Sequence, residues 1–282
     1  MRIVRTIAEL REALRTRGGR IGLVPTMGAL HEGHLTLVRA ARAESDTVVV
    51  SVFVNPIQFD DAADLAAYPR TEAADAERAA SAGADLVFAP DAAELYPPGF
   101  ATTVSVTGLV TETLEGAVRG SGHFRGVATV VVKLLLAVLP DAAYFGAKDA
   151  QQVVVIRRVV TDLNVPTRIV VVPTSRDPDG LARSSRNARL TPEERRRALA
   201  LPRALDAAER AATAGERDAA VLRARALATL AAEGLVPEYL ALVDPDTLAE
   251  VPSLDRPSLL VAAVRVGATR LIDNVLLTPG GR

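Results

Sequence analysis

"RIGLVPTMGALHEGHLTLVRAARA", residues 20–43, passes from one structural regime to another within a few positions. Residues 20–25 are a short apolar run that stops at Pro25, the composition of a buried strand. From Gly33 to Ala43 the apolar residues recur at helical spacing, which predicts an amphipathic helix. Between the two lie Gly28, Gly33 and two of the chain's three histidines, His31 and His34. Strand, glycine turn and helix form the opening unit of an open α/β sheet. Three residues apart at a helix start, the two imidazoles share one face. The first-turn amides lack intrahelical partners and favour an anion, and the glycines let the backbone approach it closely. The stretch therefore predicts a phosphate site whose imidazoles donate to a phosphoryl group as its charge grows. Two alternatives stay open on these residues alone. One is a surface helix that happens to carry two histidines; the other is a zinc pair, for which no third ligand stands nearby.

Outward from this unit the same alternation continues. "MRIVRTIAEL" reads as a strand leading into a helix. "TVVVSVFVNP" (47–56) is followed by a charged helix, "TEAADAERAASAG" (71–83), and then by "ADLVFAP" (84–90). A buried helix from Val127 to Leu139 leads to "AAYFGAKD" (142–149), and "QQVVVIRRVVTDL" (151–163) leads to "RIVVVP" (168–173). Continuous apolar strands alternating with helices imply a parallel sheet covered on both faces, a Rossmann-like doubly wound α/β domain. Ligands bind beyond the carboxyl ends of such strands. "TMGALHEGH", "NPIQF", "FGAKDAQQ" and "SRDPDGLARSSRN" all fall there.

After residue 187 the texture changes. Thr191-Pro192-Glu193-Glu194 is a capping box with proline at the first helical position. A second helix is expected from about Asp218 to Glu233, then strands in "PEYLALVD", "SLLVAAVRVG" and "TRLIDNVLL", the last two joined as a hairpin around Gly267. The expected organisation is a nucleotide-binding domain over residues 1–175 and a smaller α+β lid domain over 176–282.

Composition narrows the function. At 282 residues and 49% apolar content the chain can build a core in more than one domain. A net charge of −1 leaves no footprint for nucleic acid or an anionic membrane. There is no cysteine, so disulfides, thiolate metal sites and a cysteine-bound thioester are excluded. The N-terminal residues are too short and too charged a run for a signal peptide, and Lys133 interrupts an apolar run too short to span a bilayer. A soluble cytoplasmic protein is expected. Lys133 and Lys148 are the only lysines among 33 basic residues, which singles out Lys148 at a strand end.

"PTMGALHEGH" resembles the HxGH signature of the nucleotidyltransferase superfamily that includes class I aminoacyl-tRNA synthetases. "FVNPIQF", "YPR", "LEGAVRGSGHFRGV", "FGAKDAQQ" and "DGLARSSRN" follow in the order seen in the pantothenate synthetase (pantoate–β-alanine ligase) family. The resemblance runs over nearly the whole chain. It implies that ATP adenylates the carboxylate of (R)-pantoate with release of pyrophosphate. β-Alanine then attacks the acyl adenylate, giving pantothenate and AMP.

Carried over position by position, the resemblance assigns Met27, Gly28, Ala29, Leu30, His31, Glu32, Gly33 and His34 to the ATP site, with His34 as proton donor and His31 and Lys148 as its catalytic companions. Gly146, Ala147, Lys148 and Asp149 would bind the nucleotide, Lys148 on phosphate and Asp149 on the ribose or as the lysine's partner. Ser175 matches a position whose backbone meets adenine. Arg183, Ser184, Ser185 and Arg186 resemble the KMSKS-type phosphate loop. Gln58 and Gln152 would hold pantoate, with β-alanine also near Gln58. Arg119 and His123 resemble a further basic loop on the substrate side. The resemblance also implies magnesium arriving with ATP, no protein-built metal cage, and a homodimer. The chain departs from the family at Ala147 (usually glutamate), at Arg183 (usually apolar), and in a "RGSGHF" loop one residue longer than the common form. "QFDDAAD" (58–64) also lacks the usual small residue after the phenylalanine. Two other functions share the first motif: an adenylyltransferase with a different acceptor, and a non-catalytic nucleotide-binding module.

Overall fold

In the computed structural model, residues 1–59 and 62–280 are described, so Asp60 and Asp61 of the "QFDDAAD" segment lie outside the described residues. The chain divides into two compact units. One comprises Met1–Ala147 with Gln151–Pro173, the other Lys148–Ala150 with Thr174–Arg282.

The first unit holds β1 (Arg2–Val4), β2 (Ile21–Thr26), β3 (Thr47–Val52), β4 (Leu86–Phe88), β5 (Ala142–Gly146) and β6 (Arg168–Val172). All run parallel in one sheet of order β1-β4-β3-β2-β5-β6. From β2 the chain winds one way through β3 and β4 and the other way through β5 and β6. The winding therefore reverses between β2 and β5, where Leu23 pairs with Ala143. That switch point opens the crevice in which ligands of such sheets sit. It is flanked by the glycine–histidine turn after β2 and by Gly146 at the end of β5.

The helices are α1 (Ile7–Arg15), α2 (Glu32–Glu44), α3 (Ala62–Ala66), α4 (Glu72–Ser81), α5 (Ala92–Leu95), α6 (Leu109–Glu112), α7 (Glu115–Arg119), α8 (Ser121–Val138) and α9 (Ala150–Asp162). Two core clusters explain why the strands read as unbroken apolar runs. Leu23, Val49, Phe88, Ala143 and Phe145 pack with Leu10, Leu134 and Ile156. Their neighbours Val24, Val48, Val50, Val87 and Tyr144 pack with Val38, Ala41 and Ala79. Alternate side chains thus enter different cores, and neither face tolerates a polar series. Helix α8 begins at Ser121, six positions before the expected start at Val127. Glycines weaken helix propensity there, but His123, Phe124 and Gly126 are buried, and packing overrides propensity.

The second unit contains α10 (Pro192–Ala198), α11 (Ala200–Thr213), α12 (Ala219–Ala232), β7 (Pro237–Val243), β8 (Ser258–Val266) and β9 (Thr269–Leu277). The strands form an antiparallel sheet of order β7-β8-β9, with the expected hairpin around Gly267. The expected capping box is present: Thr191 Oγ1 accepts from the Glu194 N–H at 3.2 Å, and Glu194 Oε2 accepts from the Thr191 N–H at 2.9 Å. Ala204, Leu205 and Ala208 of α11 share one core with Leu222 and Ala226 of α12 and with Ala262 and Val264 of β8. This is a small α+β unit. Among the described residues no helix is long and apolar enough to cross a membrane.

Candidate active site

After β2 the backbone turns left-handed twice, at Gly28 (φ 84°) and Ala29 (φ 49°). Gly28 is required for its φ and for its bareness, because a Cβ there would meet Asp75 Oδ2 at 3.0 Å. Ala29 in the same region costs about 1–2 kcal/mol. A buried carboxylate holds this turn. Asp75 of α4 is 0% exposed and accepts from the Ala29 N–H at 2.9 Å, the Leu30 N–H at 2.7 Å and the Thr71 hydroxyl at 3.1 Å. One turn further along α4, Arg78 donates to the Leu30 carbonyl at 2.5 Å. Successive N–H groups curled around an anion make the kind of concavity that binds phosphate in other proteins. Here the chain's own side chain fills it. The amides of Ala29 and Leu30 therefore serve the turn, and the Leu30 side chain lies in the core.

The two imidazoles start α2 in an unusual way. His31 is its N-cap: its Nδ1 accepts from the Gly33 N–H at 3.1 Å, while His34 Nδ1 accepts from the His31 N–H at 3.2 Å. This is a capping box built from two histidines in place of a hydroxyl and a glutamate. One consequence corrects the expectation of unpaired first-turn amides, since the Gly33 amide is taken by His31. The other consequence is chemical. A ring nitrogen that accepts cannot carry the proton, so both rings hold theirs on Nε2 as neutral imidazoles. The rings lie 4.1 Å apart between centroids, inclined by 37°. Both half-buried histidines thus carry the same kind of donor, an Nε2–H. Met27 is half-buried, and Glu32 pairs with Arg39 on the helix surface.

Gln58 closes a short 3₁₀ turn, Pro56–Gln58, that follows β3. Its Nε2 donates to Met27 Sδ at 2.9 Å, which places it next to the turn after β2. Its Oε1 accepts from Asn55 Nδ2 at 2.9 Å. Asn55 is buried; its Nδ2 also donates to the Gly126 carbonyl at 3.1 Å, and its Oδ1 accepts from the Tyr96 hydroxyl at 2.7 Å. His123, buried on α8, sets Nδ1 at 3.0 Å from the Gln58 carbonyl and Nε2 at 2.8 Å from Arg119 Nη1. Arg119 Nη1 also lies 3.0 Å from His123 Nδ1, so the guanidinium stands against both nitrogens of the ring. The close seat of α8 on this turn depends on Gly126, where a Cβ would lie 2.4 Å from the Ile57 carbonyl oxygen and 2.6 Å from Gln58 Cα. Gly126→Ala should accordingly cost about 1–3 kcal/mol of stability by overpacking. The check is the midpoint of urea unfolding, and an unchanged midpoint would show that the turn yields freely.

Two adjacent glutamines on α9 behave differently. Gln151 is buried, and its amide donates to the carbonyls of Val110 and Thr113 and accepts from the Glu115 N–H, tying down α6 and α7. Gln152, half-buried, keeps an amide that makes none of these internal bonds. Of the pair, Gln152 is the one whose side chain makes no hydrogen bond among the described residues.

In the second unit, Lys148 Nζ lies 3.6 Å from Asp149 Oδ1, with the lysine side chain 16% exposed and the aspartate 52%. Both lie in a 3₁₀ turn, Ala147–Asp149, just beyond Gly146. Asn274 Nδ2 anchors this turn by donating to the Lys148 carbonyl at 2.9 Å. Next to it on β9, buried Asp273 forms a two-pronged pair with Arg176 at 2.6 and 3.0 Å. Burial alone would lower the pKa of Arg176, but the bond to Asp273 and its charge outweigh burial and raise it. Arg176 opens a tight loop that closes where the Arg183 N–H donates to the Ser175 carbonyl at 2.9 Å. The guanidinium of Arg183 turns back onto Asp177 (3.2 Å) and the Arg176 carbonyl (3.1 Å). Its charge is thereby largely matched within the loop. Ser184 caps the 3₁₀ turn Ser185–Arg189 by accepting from the Arg186 N–H at 3.3 Å, Ser185 is exposed, and Arg186 is half-buried. Asn187 donates to the Ala182 carbonyl at 3.0 Å, but its buried Oδ1 has no partner among the described residues.

Asp75, Asn55, Tyr96, Asp273 and Asn274 escaped the sequence reading. A usable signal existed for two of them. Asp273-Asn274 is a polar pair that interrupts the apolar pattern in "TRLIDNVLL", which an ordinary strand has no reason to contain.

A parallel sheet with a histidine-capped helix at its switch point is an α/β arrangement of the class that the HxGH resemblance implies. The model of the family described as pantoate-beta-alanine ligase matches residues 2–276. A pantothenate synthetase of Rhizorhabdus wittichii is 56% identical over 283 residues, covering 99% of each chain. Another, from a Roseiflexus species, is 54% identical over 98% of this chain and 99% of its own. The crystal structure of pantothenate synthetase from Thermus thermophilus superposes with a TM-score of 0.94 at 48% identity, covering 99% of this chain and 100% of the other. The pantoate-beta-alanine ligase of Francisella tularensis, complexed with beta-gamma ATP and beta-alanine, gives 0.81 at 33% identity over 98% and 97%. The chain belongs to the pantoate–β-alanine ligase family.

Proposed function

We propose that the chain condenses (R)-pantoate with β-alanine at the expense of ATP, through a pantoyl adenylate. In the first step a pantoate carboxylate oxygen attacks the α-phosphorus, and the bond to the bridging oxygen of pyrophosphate breaks. In the second the β-alanine nitrogen attacks the acyl carbon and loses a proton as AMP departs. The observation that carries this reading is the pair of neutral imidazoles at the switch point, both with the proton on Nε2. An Nε2–H donor stabilises charge gathering on the leaving oxygen without itself having to change charge. His34 acts there with His31 beside it. Lys148, Ser184, Ser185 and Arg186 bind phosphate oxygens, Asp149 steadies Lys148 or meets the ribose, and Ser175 meets adenine through its backbone. Gln58 and Gln152 hold pantoate, and β-alanine enters near Gln58. The ligase of Francisella tularensis complexed with beta-gamma ATP and beta-alanine supports the choice of substrates.

Among the described residues no three His, Asp or Glu side chains gather into a metal site. Magnesium in this reading rides on the triphosphate oxygens, as it commonly does with nucleotides. A cytoplasmic homodimer completes the proposal. The test is pyrophosphate and AMP release from MgATP with pantoate, with and without β-alanine. AMP production that needs both acids and matches pantothenate formation is the expected result. Pyrophosphate release indifferent to β-alanine would mean an adenylyltransferase with another acceptor, and no turnover would mean a binding module.

A further inference from the structure

A glutamine amide has two ends of nearly equal size and opposite meaning, one accepting and one donating. Which end Gln58 turns to a ligand decides which ligand atom it can read. The surroundings leave one answer, and the fixed point is the Gly126 carbonyl, which can only accept. Asn55 must therefore turn its NH₂ toward Gly126, at 3.1 Å. That leaves Asn55 Oδ1 facing the Tyr96 hydroxyl at 2.7 Å, so the phenol must donate. The second hydrogen of the Asn55 NH₂ goes to Gln58 Oε1 at 2.9 Å, so the oxygen end of Gln58 is turned inward. Its NH₂ remains, with one hydrogen on Met27 Sδ, a weak acceptor that is easily exchanged for a better one.

We propose that Tyr96, acting through Asn55 and together with the Gly126 carbonyl, holds the polarity of Gln58, so that this amide meets pantoate as a donor to its hydroxyl or carboxylate oxygen. Tyr96 is a positioning residue in this scheme. Burial pushes its phenol pKa upward, which keeps the hydroxyl protonated and donating. Its ring is fixed by Phe53 and Phe100, with centroids at 6.0 and 5.0 Å, so the hydroxyl is the part of the side chain free to act on Asn55. Without that donor, Asn55 Oδ1 loses its partner, and the Gly126 carbonyl alone is left to hold the orientation of the chain of amides.

The inference rests on the reading of Gln58 as a pantoate residue, and the experiment separates the two. Steady-state kinetics would be measured for Tyr96→Phe, Gln58→Ala, the double variant and Gln58→Glu, with melting curves to confirm folding. Tyr96→Phe should raise the KM for pantoate about tenfold, the equivalent of one hydrogen bond, and leave the KM for ATP within twofold. In the Gln58→Ala background the same change should add nothing beyond twofold. Gln58→Glu keeps the shape and the oxygen that Asn55 needs but offers oxygen outward, so it should impair pantoate at least as much as Gln58→Ala. A pantoate KM that rises with Gln58→Ala but not with Tyr96→Phe overturns the polarity mechanism. So does an equal effect of Tyr96→Phe in both backgrounds, which marks a structural tyrosine, and so does near-normal activity of Gln58→Glu. If Gln58→Ala itself leaves the pantoate KM unchanged, the assignment of Gln58 fails and the role of Tyr96 falls with it.

Discussion

Replacing His34 with alanine should lower turnover about a hundredfold or more, while the protein stays folded and retains affinity for ATP. The size follows from deleting one preorganised donor at a site of developing charge, typically roughly 3–4 kcal/mol. Alanine also removes the acceptor for the His31 N–H, bonded at 3.2 Å, so a frayed helix start would contribute part of the loss. Companion variants separate these effects. Asparagine places an acceptor near the Nδ1 position and nothing at Nε2; it should restore the cap, worth about 1 kcal/mol, but not the rate. Glutamine reaches the Nε2 position with an N–H and should recover part of the rate. Single-turnover measurement of pyrophosphate release reports the step concerned. Turnover of His34→Ala within twofold of the unaltered protein would sink the role given to this imidazole.

The second large effect is expected at a buried residue given no ligand contact in the proposed scheme. Asp75→Asn exchanges an acceptor for an NH₂ that must face either the Ala29 or the Leu30 amide, donor against donor. Asp75→Ala leaves both amides buried without a partner, at about 1–3 kcal/mol each, so a loss of about 2–6 kcal/mol is expected. The rate should fall as well, because the same turn aims the imidazoles, and a misplacement of about 1 Å can cost about a hundredfold. Chemical denaturation read by circular dichroism gives the first quantity. The kcat of the fraction still folded at low temperature gives the second. Full activity of Asp75→Asn would show that the left-handed turn at Gly28 and Ala29 needs no internal anion.

Much of the architecture was legible because it depends on local pattern. The runs 47–52, 142–146 and 168–172 are strands for the reason their composition implies: each sends side chains into two cores. The capping box at Thr191 is a four-residue code, and it reads true. The glycine–histidine turn was visible too, but its support was not. Asp75 sits among Glu72, Glu77 and other polar residues of "TEAADAERAASAG", all of which resemble one solvated face. Its burial is decided by a turn 45 residues earlier, a distance that periodicity cannot sense. Histidine as a helix cap was likewise hidden, since propensity favours serine, threonine or aspartate there. Arg183 read as added charge, yet its partner, Asp177, stands six residues before it and is found only once the loop is closed. The short helices α5, α6 and α7 lack the length for any periodic signal.

One bond reaches further than its 2.9 Å suggests. Asn274 grips the carbonyl of Lys148, and residues 148–150 belong to the second unit although the chain on either side of them belongs to the first. The polypeptide thus changes units at Ala147, again at Ala150 and once more at Pro173. A gene fragment cut at the obvious polar boundary would encode a C-terminal piece whose Asn274 has lost its tether and whose lysine was left behind. The smaller half of this enzyme is therefore not one contiguous length of chain but a length of chain plus a three-residue loan from the middle of the other half.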